Sequence, residues 1–233
     1  MEKKRAAAFF DFDRTLLTVE SGKLGLYYMW ERGEVPLGFL LRAAVRNVFF
    51  RLHLYSDQDF LSFLLTYYKG KPMARFKEEA EEFYRHRLKP RLAPNILERV
   101  AWHKKAGHVL VLISGSLRYI LEPAAKDLGF DHLVSTVLET DARGILTGRA
   151  VGPLCLETNK KILAAALAQK EKIDLSVSWA YGNHQSDLPL LLSVGHPVVV
   201  EPTRPLLKEA GKHGWPVLSY GTAEKAGLKE QTA

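Results

Sequence analysis

Four short apolar runs, each broken off by a small, polar or acidic residue, constrain this chain more than any other feature. They are Ala6–Phe10 before Asp11, Val109–Ile113 before Ser114, Val177–Tyr181 before Gly182-Asn183, and Pro197–Val200 before Glu201. Each is too short for a helix and apolar on both faces, the pattern of parallel strands covered by helices. Helical patterns lie between them: Asn95–Ala106, Ser116–Leu128, Asn159–Lys172 and Ser186–Val194, with Gly107 and Gly129 where helix C-caps belong. Alternating strands and helices predict an α/β fold, a three-layer doubly wound parallel sheet. Ligands bind such sheets beyond the carboxyl ends of the strands. Asp11, Ser114 and Asn183 all fall there.

The stretch from Thr18 to Leu92 breaks this rhythm. It is aromatic and helical in pattern (Leu37–Leu54, Asp59–Tyr68, Met73–Leu88) with no convincing strand. It reads as an all-α cap inserted after the first strand. The expected division is a core of residues 1–17 and 93–233 and a cap of residues 18–92, able to open and close over the site. Ser135–Arg149 reads as a β-hairpin turning at Gly144, and the polar tail from Thr222 as mobile.

Asp11-Phe12-Asp13-Arg14-Thr15 follows the first apolar run directly. Two carboxylates at a buried strand end are costly unless a cation or hydrogen bonds compensate them. Mg2+ binds through one or two carboxylates together with substrate phosphate oxygens, and an Asp can attack phosphorus. The pair therefore reads as a phosphoryl-transfer site. The alternative is an acidic strand end that caps the next helix. Ser114, with the amides of Gly115 and Ser116, could hold phosphate oxygens. Lys160 could offset negative charge. Gly182-Asn183-His184-Gln185-Ser186-Asp187 supplies two further oxygen donors, Asn183 and Asp187.

Asp-x-Asp-x-Thr, then Ser, then Lys, then Gly-Asn-x-x-x-Asp resembles the four motifs of the haloacid dehalogenase-like (HAD) superfamily. Gly152-Pro153-Leu154-Cys155 ahead of Lys160, Ser186–Leu191, and the run from Val194–Val198 to Gly214–Val217 resemble its phosphoserine phosphatase-like branch, subfamily IB. The resemblance implies an Mg2+-dependent phosphatase that acts on a small phosphate monoester through an aspartyl-phosphate. Asp11 would be the nucleophile and Asp13 the general acid and base. Asp11, the backbone carbonyl of Asp13, Asn183 and Asp187 would make or border the metal site. Thr15, Ser114 and Gly115 would hold the phosphate, and Lys160 would neutralise charge. Asn183 departs from the family pattern, which has Asp there. The preferred outcome is that Asp187 compensates; the other is a weak homologue that only binds phosphorylated ligands. Glu20 stands where phosphoserine phosphatases carry an acid that receives the substrate amino group, although a solvated glutamate reads equally well. His184 is placed to touch substrate.

Residues 32–91 carry 12 Lys or Arg against 7 Asp or Glu, and the whole chain has a formal charge of +7, which suits anionic substrates. Leu37–Leu54, with Arg42, Arg46 and Arg51 among apolar residues, could lie on a membrane or admit a lipid phosphate such as a lysophospholipid phosphate. The favoured reading is a buried cap helix. Trp30, Tyr27 and Tyr28 could line a pocket, but aromatic clusters at helical spacing read first as core. No nucleic-acid-binding motif occurs, and the histidines lack metal-ligand spacing. The one cysteine, Cys155, has no nearby partner and reads as structural. A single cysteine and the absence of a signal-like or spanning apolar run point to the cytoplasm. Oligomeric state is left open.

Overall fold

The computed structural model describes residues 5–52 and 54–221. The expected mobile tail from Thr222 lies outside the described residues. Six strands form one parallel sheet: β1 (Ala7–Phe10), β2 (Val109–Leu117), β3 (His132–Thr136), β6 (Trp179–Gly182), β7 (His196–Val200) and β8 (Val217–Leu218). Their order is β3-β2-β1-β6-β7-β8, so β1 lies between β2 and β6. A separate antiparallel hairpin joins β4 (Leu138–Thr140) to β5 (Leu146–Ala150).

Alternate residues of the buried strands serve two layers. Ala8, Phe10, Leu110 and Leu112 join one core cluster. Ala7, Phe9, Val109 and Val111 join the other, with residues from α7 (Glu157–Lys170), α8 (Leu188–Leu191) and α9 (Arg204–His213). Phe10 stacks on Tyr181 at 4.3 Å. Buried His103, in α5 (Pro94–Lys105), meets His108 Nδ1 at 2.8 Å and the Tyr181 hydroxyl at 2.9 Å. Burial pushes its imidazole down to about 3, so it is a neutral packing group.

Among the described residues four α-helices lie between β1 and α5: α1 (Ser21–Glu31), α2 (Leu37–Arg51), α3 (Asp57–Leu65) and α4 (Met73–Phe83). The chain leaves and returns at one neck. Leu17 and Leu92 bridge antiparallel, the Thr18 N–H donates to the Arg91 carbonyl, and the Ala93 N–H donates to the Leu16 carbonyl. One hydrophobic cluster runs unbroken from the sheet into these helices. It includes Phe76 of α4 and Tyr119 of α6 (Arg118–Leu128), and the hydroxyls of Tyr68 and Tyr119 meet at 2.9 Å.

Several expectations need correction. The β4–β5 hairpin begins after Val137, because Ser135 and Thr136 belong to β3 and extend the main sheet. The hairpin is stitched to the helical insertion: the Gly70 N–H donates to the Leu146 carbonyl, the Leu146 N–H to the Lys71 carbonyl, and the Met73 N–H to the Gly144 carbonyl. The helix expected over Ser186–Val194 is one 3-10 turn followed by one α-turn ending at Leu191. Beyond it, Gly195 lies so close to the Ser176 carbonyl that a Cβ there would sit 1.8 Å away. The second-strand helix begins at Arg118, because the backbone through Ser116 stays extended with a register shift. Tyr27 and Trp30 are exposed, only Tyr28 packing inward against Phe83. Helix α2 buries one side, through Phe39 and Ala43, and exposes an apolar opposite side.

Candidate active site

The site forms at the carboxyl ends of β1, β2 and β6. The pairing of Phe10 with Leu112 on one side and Tyr181 on the other brings the three ends level. The Asp11 N–H donates to the Tyr181 carbonyl at 2.9 Å, extending the β1–β6 ladder to this carboxylate. Asp11 is buried, and its two carboxylate oxygens have different partners. Oδ2 accepts from the Thr15 hydroxyl at 3.2 Å, and Oδ1 accepts from Lys160 Nζ at 2.7 Å.

Lys160 sits in the first turn of α7, 3 % exposed. Its ammonium also donates to Asp187 Oδ1 at 2.5 Å. Burial disfavours the lysine charge, but Asp11 and Asp187 more than offset it and raise its pKa. Burial pushes the Asp11 carboxyl up to about 7, with Lys160 opposing and the neighbouring carboxylates adding.

Asp187 works through both oxygens. Oδ2 accepts from the Asn183 and His184 N–H groups, each at 3.0 Å, while Oδ1 faces Lys160. This carboxylate thus folds the loop after β6 and fixes the lysine. Gly182 permits the arrangement, since a Cβ there would lie 2.7 Å from Asp187 Cβ. Asn183 is buried, and its carbonyl accepts from the Thr203 N–H. His184 is exposed and turned back on its own loop, where Nδ1 accepts from the Ser186 N–H at 3.3 Å and meets the Ser186 hydroxyl at 3.0 Å.

Asp13 stands apart from the lysine. It accepts from the Ser21 N–H and from the Ser116 hydroxyl, and the two serine hydroxyls meet each other at 2.9 Å. Burial raises its pKa, against the pull of the Ser116 and Ser21 donors. Sequence reasoning missed the roles of both serine hydroxyls. Ser116 was visible in Ser114-Gly115-Ser116 but had no assigned partner, and Ser21 opens α1, a helix the periodicity did not reveal. Ser114 is buried, its hydroxyl accepting from the Ser116 N–H at 3.2 Å. A Cβ on Gly115 would lie 2.4 Å from Leu156 Cδ2, so the loop and the start of α7 are pressed together.

Glu20 lies at the N-terminus of α1 and is already paired with Arg14 at 3.1 Å and Lys23 at 2.7 Å. Arg14 adopts φ +55° to make this turn. Cys155 is fully buried, donates through sulfur to the Val134 carbonyl, and has its thiol pushed up to about 11 by burial. It is structural, as expected.

When ionised, Asp11, Asp13 and Asp187 outweigh the single ammonium of Lys160 by two negative charges. Among the described residues no group of three or more His, Cys, Asp or Glu is arranged to hold a metal. The available donors are carboxylates, the Asn183 carboxamide and backbone carbonyls. That hard, oxygen-only set with a twofold negative excess fits Mg2+, which needs only one or two protein carboxylates.

The family model for haloacid dehalogenase-like hydrolases matches residues 8–192. Histidinol-phosphatase of Neisseria meningitidis serogroup C is 32 % identical over 221 residues, covering 91 % of this chain and 98 % of that protein. A Bordetella pertussis protein of unknown function has the same fold with a TM-score of 0.84 and 24 % identity, covering 94 % of this chain and all of that one. A substrate-bound phosphoserine phosphatase matches with a TM-score of 0.68 and 19 % identity, over 93 % of this chain and 94 % of that chain. The chain therefore belongs to the haloacid dehalogenase-like hydrolase family and is a phosphatase by class.

Proposed function

We propose that the protein hydrolyses a small, amine-bearing phosphate monoester with Asp11 as nucleophile and Asp13 as general acid and base. The observation that carries this reading is the division of labour between the two carboxylates. Asp11 is buried beside the Lys160 ammonium, whereas Asp13 faces only hydroxyl and amide donors. Lys160 opposes the rise that burial imposes on Asp11, and an ionised Asp suits attack on phosphorus. An Asp whose pKa is raised suits proton transfer near neutral pH.

In the first step an Asp11 carboxylate oxygen bonds to phosphorus, the ester P–O bond breaks, and Asp13 gives its proton to the leaving oxygen. In the second, water attacks phosphorus, Asp13 takes a proton from it, and the acyl-phosphate P–O bond breaks, restoring Asp11 and releasing phosphate. Thr15, Ser114 and the Gly115 amide would hold the phosphoryl oxygens. Lys160 would offset the charge that Asp11 and the phosphoryl group bring together. Mg2+ would be held by Asp11, the Asp13 carbonyl and Asn183, with Asp187 anchoring the loop, and would neutralise phosphoryl charge. Residues 18–92 would act as the cap over this site, with Ser21 linking it to Asp13.

The amine preference rests on Glu20 at the base of α1 and on the relative named histidinol-phosphatase, which acts on an amine-bearing phosphate. Glu20 would exchange its pairing with Arg14 or Lys23 for the substrate ammonium. The test is a panel with Mg2+ that includes histidinol phosphate, phosphoserine and matched phosphates lacking the amine. The expected result is a higher kcat/KM for the amines that Glu20→Gln erases. Equal rates for both sets in the wild type would refute the amine assignment.

A further inference from the structure

Helix α2 is apolar on two sides. Phe39 and Ala43 face the core, and Phe39 stacks on Phe63 at 5.2 Å. The opposite side carries Leu37, Leu41, Val45, Val48, Phe49 and Leu52, exposed between 42 % and 80 %. Their spacing of three, four and seven residues makes one stripe along the helix. Single exposed apolar residues are ordinary, but a stripe of six on one helix marks an interaction face.

The charges beside the stripe restrict what can cover it. α2 contains Arg42, Arg46 and Arg51 and no Asp or Glu. Arg42 is exposed at the edge of the stripe and Arg46 is exposed nearer the Phe39 side, and among the described residues no acid pairs with either. Arg42 Nε donates back to the Gly38 carbonyl, and the Arg46 guanidinium lies 4.3 Å from the Phe63 ring centroid. Arg42 is thus held alongside the exposed apolar face, whereas Arg46 packs on the side that faces the core. A second copy docking through the same patch would bring Arg42 of each copy to the seam with no acid of α2 to meet it. A surface that is apolar inside and anionic outside matches both features. Among the described residues no helix is long and apolar enough to cross a membrane, so the helix would lie on the surface.

We infer that α2 is an interfacial helix that docks this protein on an anionic lipid bilayer, the leucine and valine stripe entering the acyl boundary and Arg42 at its edge meeting lipid phosphates.

The test is flotation of the intact protein with phosphatidylcholine vesicles, with and without about one-third phosphatidylserine, at low and high salt. The expected result is binding to the anionic vesicles that weakens with salt. An arginine beside such a surface is worth about 1 kcal/mol, about a fivefold change, so Arg42→Gln with Arg46→Gln should weaken partitioning by about fivefold, most of it from Arg42. Val45→Asp with Val48→Asp should abolish it. Circular dichroism and p-nitrophenyl phosphate turnover should be unchanged in both variants, because neither pair touches the active site. Absence of wild-type binding to anionic vesicles would overturn the inference. So would binding that ignores both pairs of substitutions. A wild-type dimer that Val45→Asp with Val48→Asp dissociates, without vesicle binding, would show instead that a second copy covers the stripe.

Discussion

Replacing Lys160 by Met tests the electrostatic centre of the site. Methionine keeps nearly the length of the side chain, so little cavity or overpacking term enters. What is lost is one buried cation that donates to Asp11 at 2.7 Å and to Asp187 at 2.5 Å. Removing one partner of a buried ion pair costs about 3–5 kcal/mol, because the remaining charge is left without compensation. For a chain of this size each kcal/mol corresponds to roughly 2–4 °C, so the melting temperature should fall by about 6–20 °C. The sign with pH follows from the same argument. The stranded carboxylates take up protons in the folded state, so the loss should be largest near neutral pH and shrink as pH falls toward about 5. Thermal melts by circular dichroism in chelator, at both pH values, measure this directly. Asp11→Asn in the Lys160→Met background should recover part of the loss, with a coupling on the order of 0.5–3 kcal/mol. A drop below about 3 °C, or one equally large at low pH, would show that the lysine acts by packing and not by holding two carboxylates.

Three further outcomes follow from the same geometry. In the metal-free wild type, Asp11 is raised to about 7 from its ordinary value near 3.8. The folded state therefore binds more protons than the unfolded state in that interval, and stability should fall as pH rises through it; denaturant melts in chelator that show stability rising instead would contradict the assignment. Gly115→Ala forces a methyl to within 2.4 Å of Leu156 Cδ2, which should cost about 1–3 kcal/mol, and Leu156→Ala should relieve much of it in the double variant, as read by melting temperature. Asn183→Asp adds a buried carboxylate to a site already in negative excess. It should destabilise the metal-free protein by about 1–3 kcal/mol and tighten Mg2+ binding by calorimetry, whereas unchanged Mg2+ affinity would place residue 183 away from the metal.

The central sheet was legible because its strands are apolar on both faces and end at chemistry-bearing residues. Ala7–Phe10 alternates between two core layers, and the next residue is Asp11. Tertiary contacts hid other elements. β8 is two residues long, and β3 merges in sequence with the hairpin that follows it. Helix α1 carries Gly22 and Gly25 and has no acidic residue in its first turn, so neither periodicity nor charge announced it. Its first residue, Ser21, nevertheless supplies a partner of Asp13. In the site, Asp11, Lys160 and Asp187 were identifiable by type and order. The sequence could not reveal that Asp187 spends both oxygens on Lys160 and on the loop amides. Nor could it tell which side of α2 would be buried, because both sides are apolar.

The most direct test of the mechanism is rapid acid quench of the enzyme during turnover of a good monoester substrate with Mg2+, followed by peptide mass analysis. The account predicts a phosphoryl group on the peptide that contains Asp11, acid-stable and alkali-labile, and neither the adduct nor phosphate release in Asp11→Asn. Continued phosphate release by Asp11→Asn, with no adduct at any stage in the wild type, would contradict nucleophilic attack by Asp11.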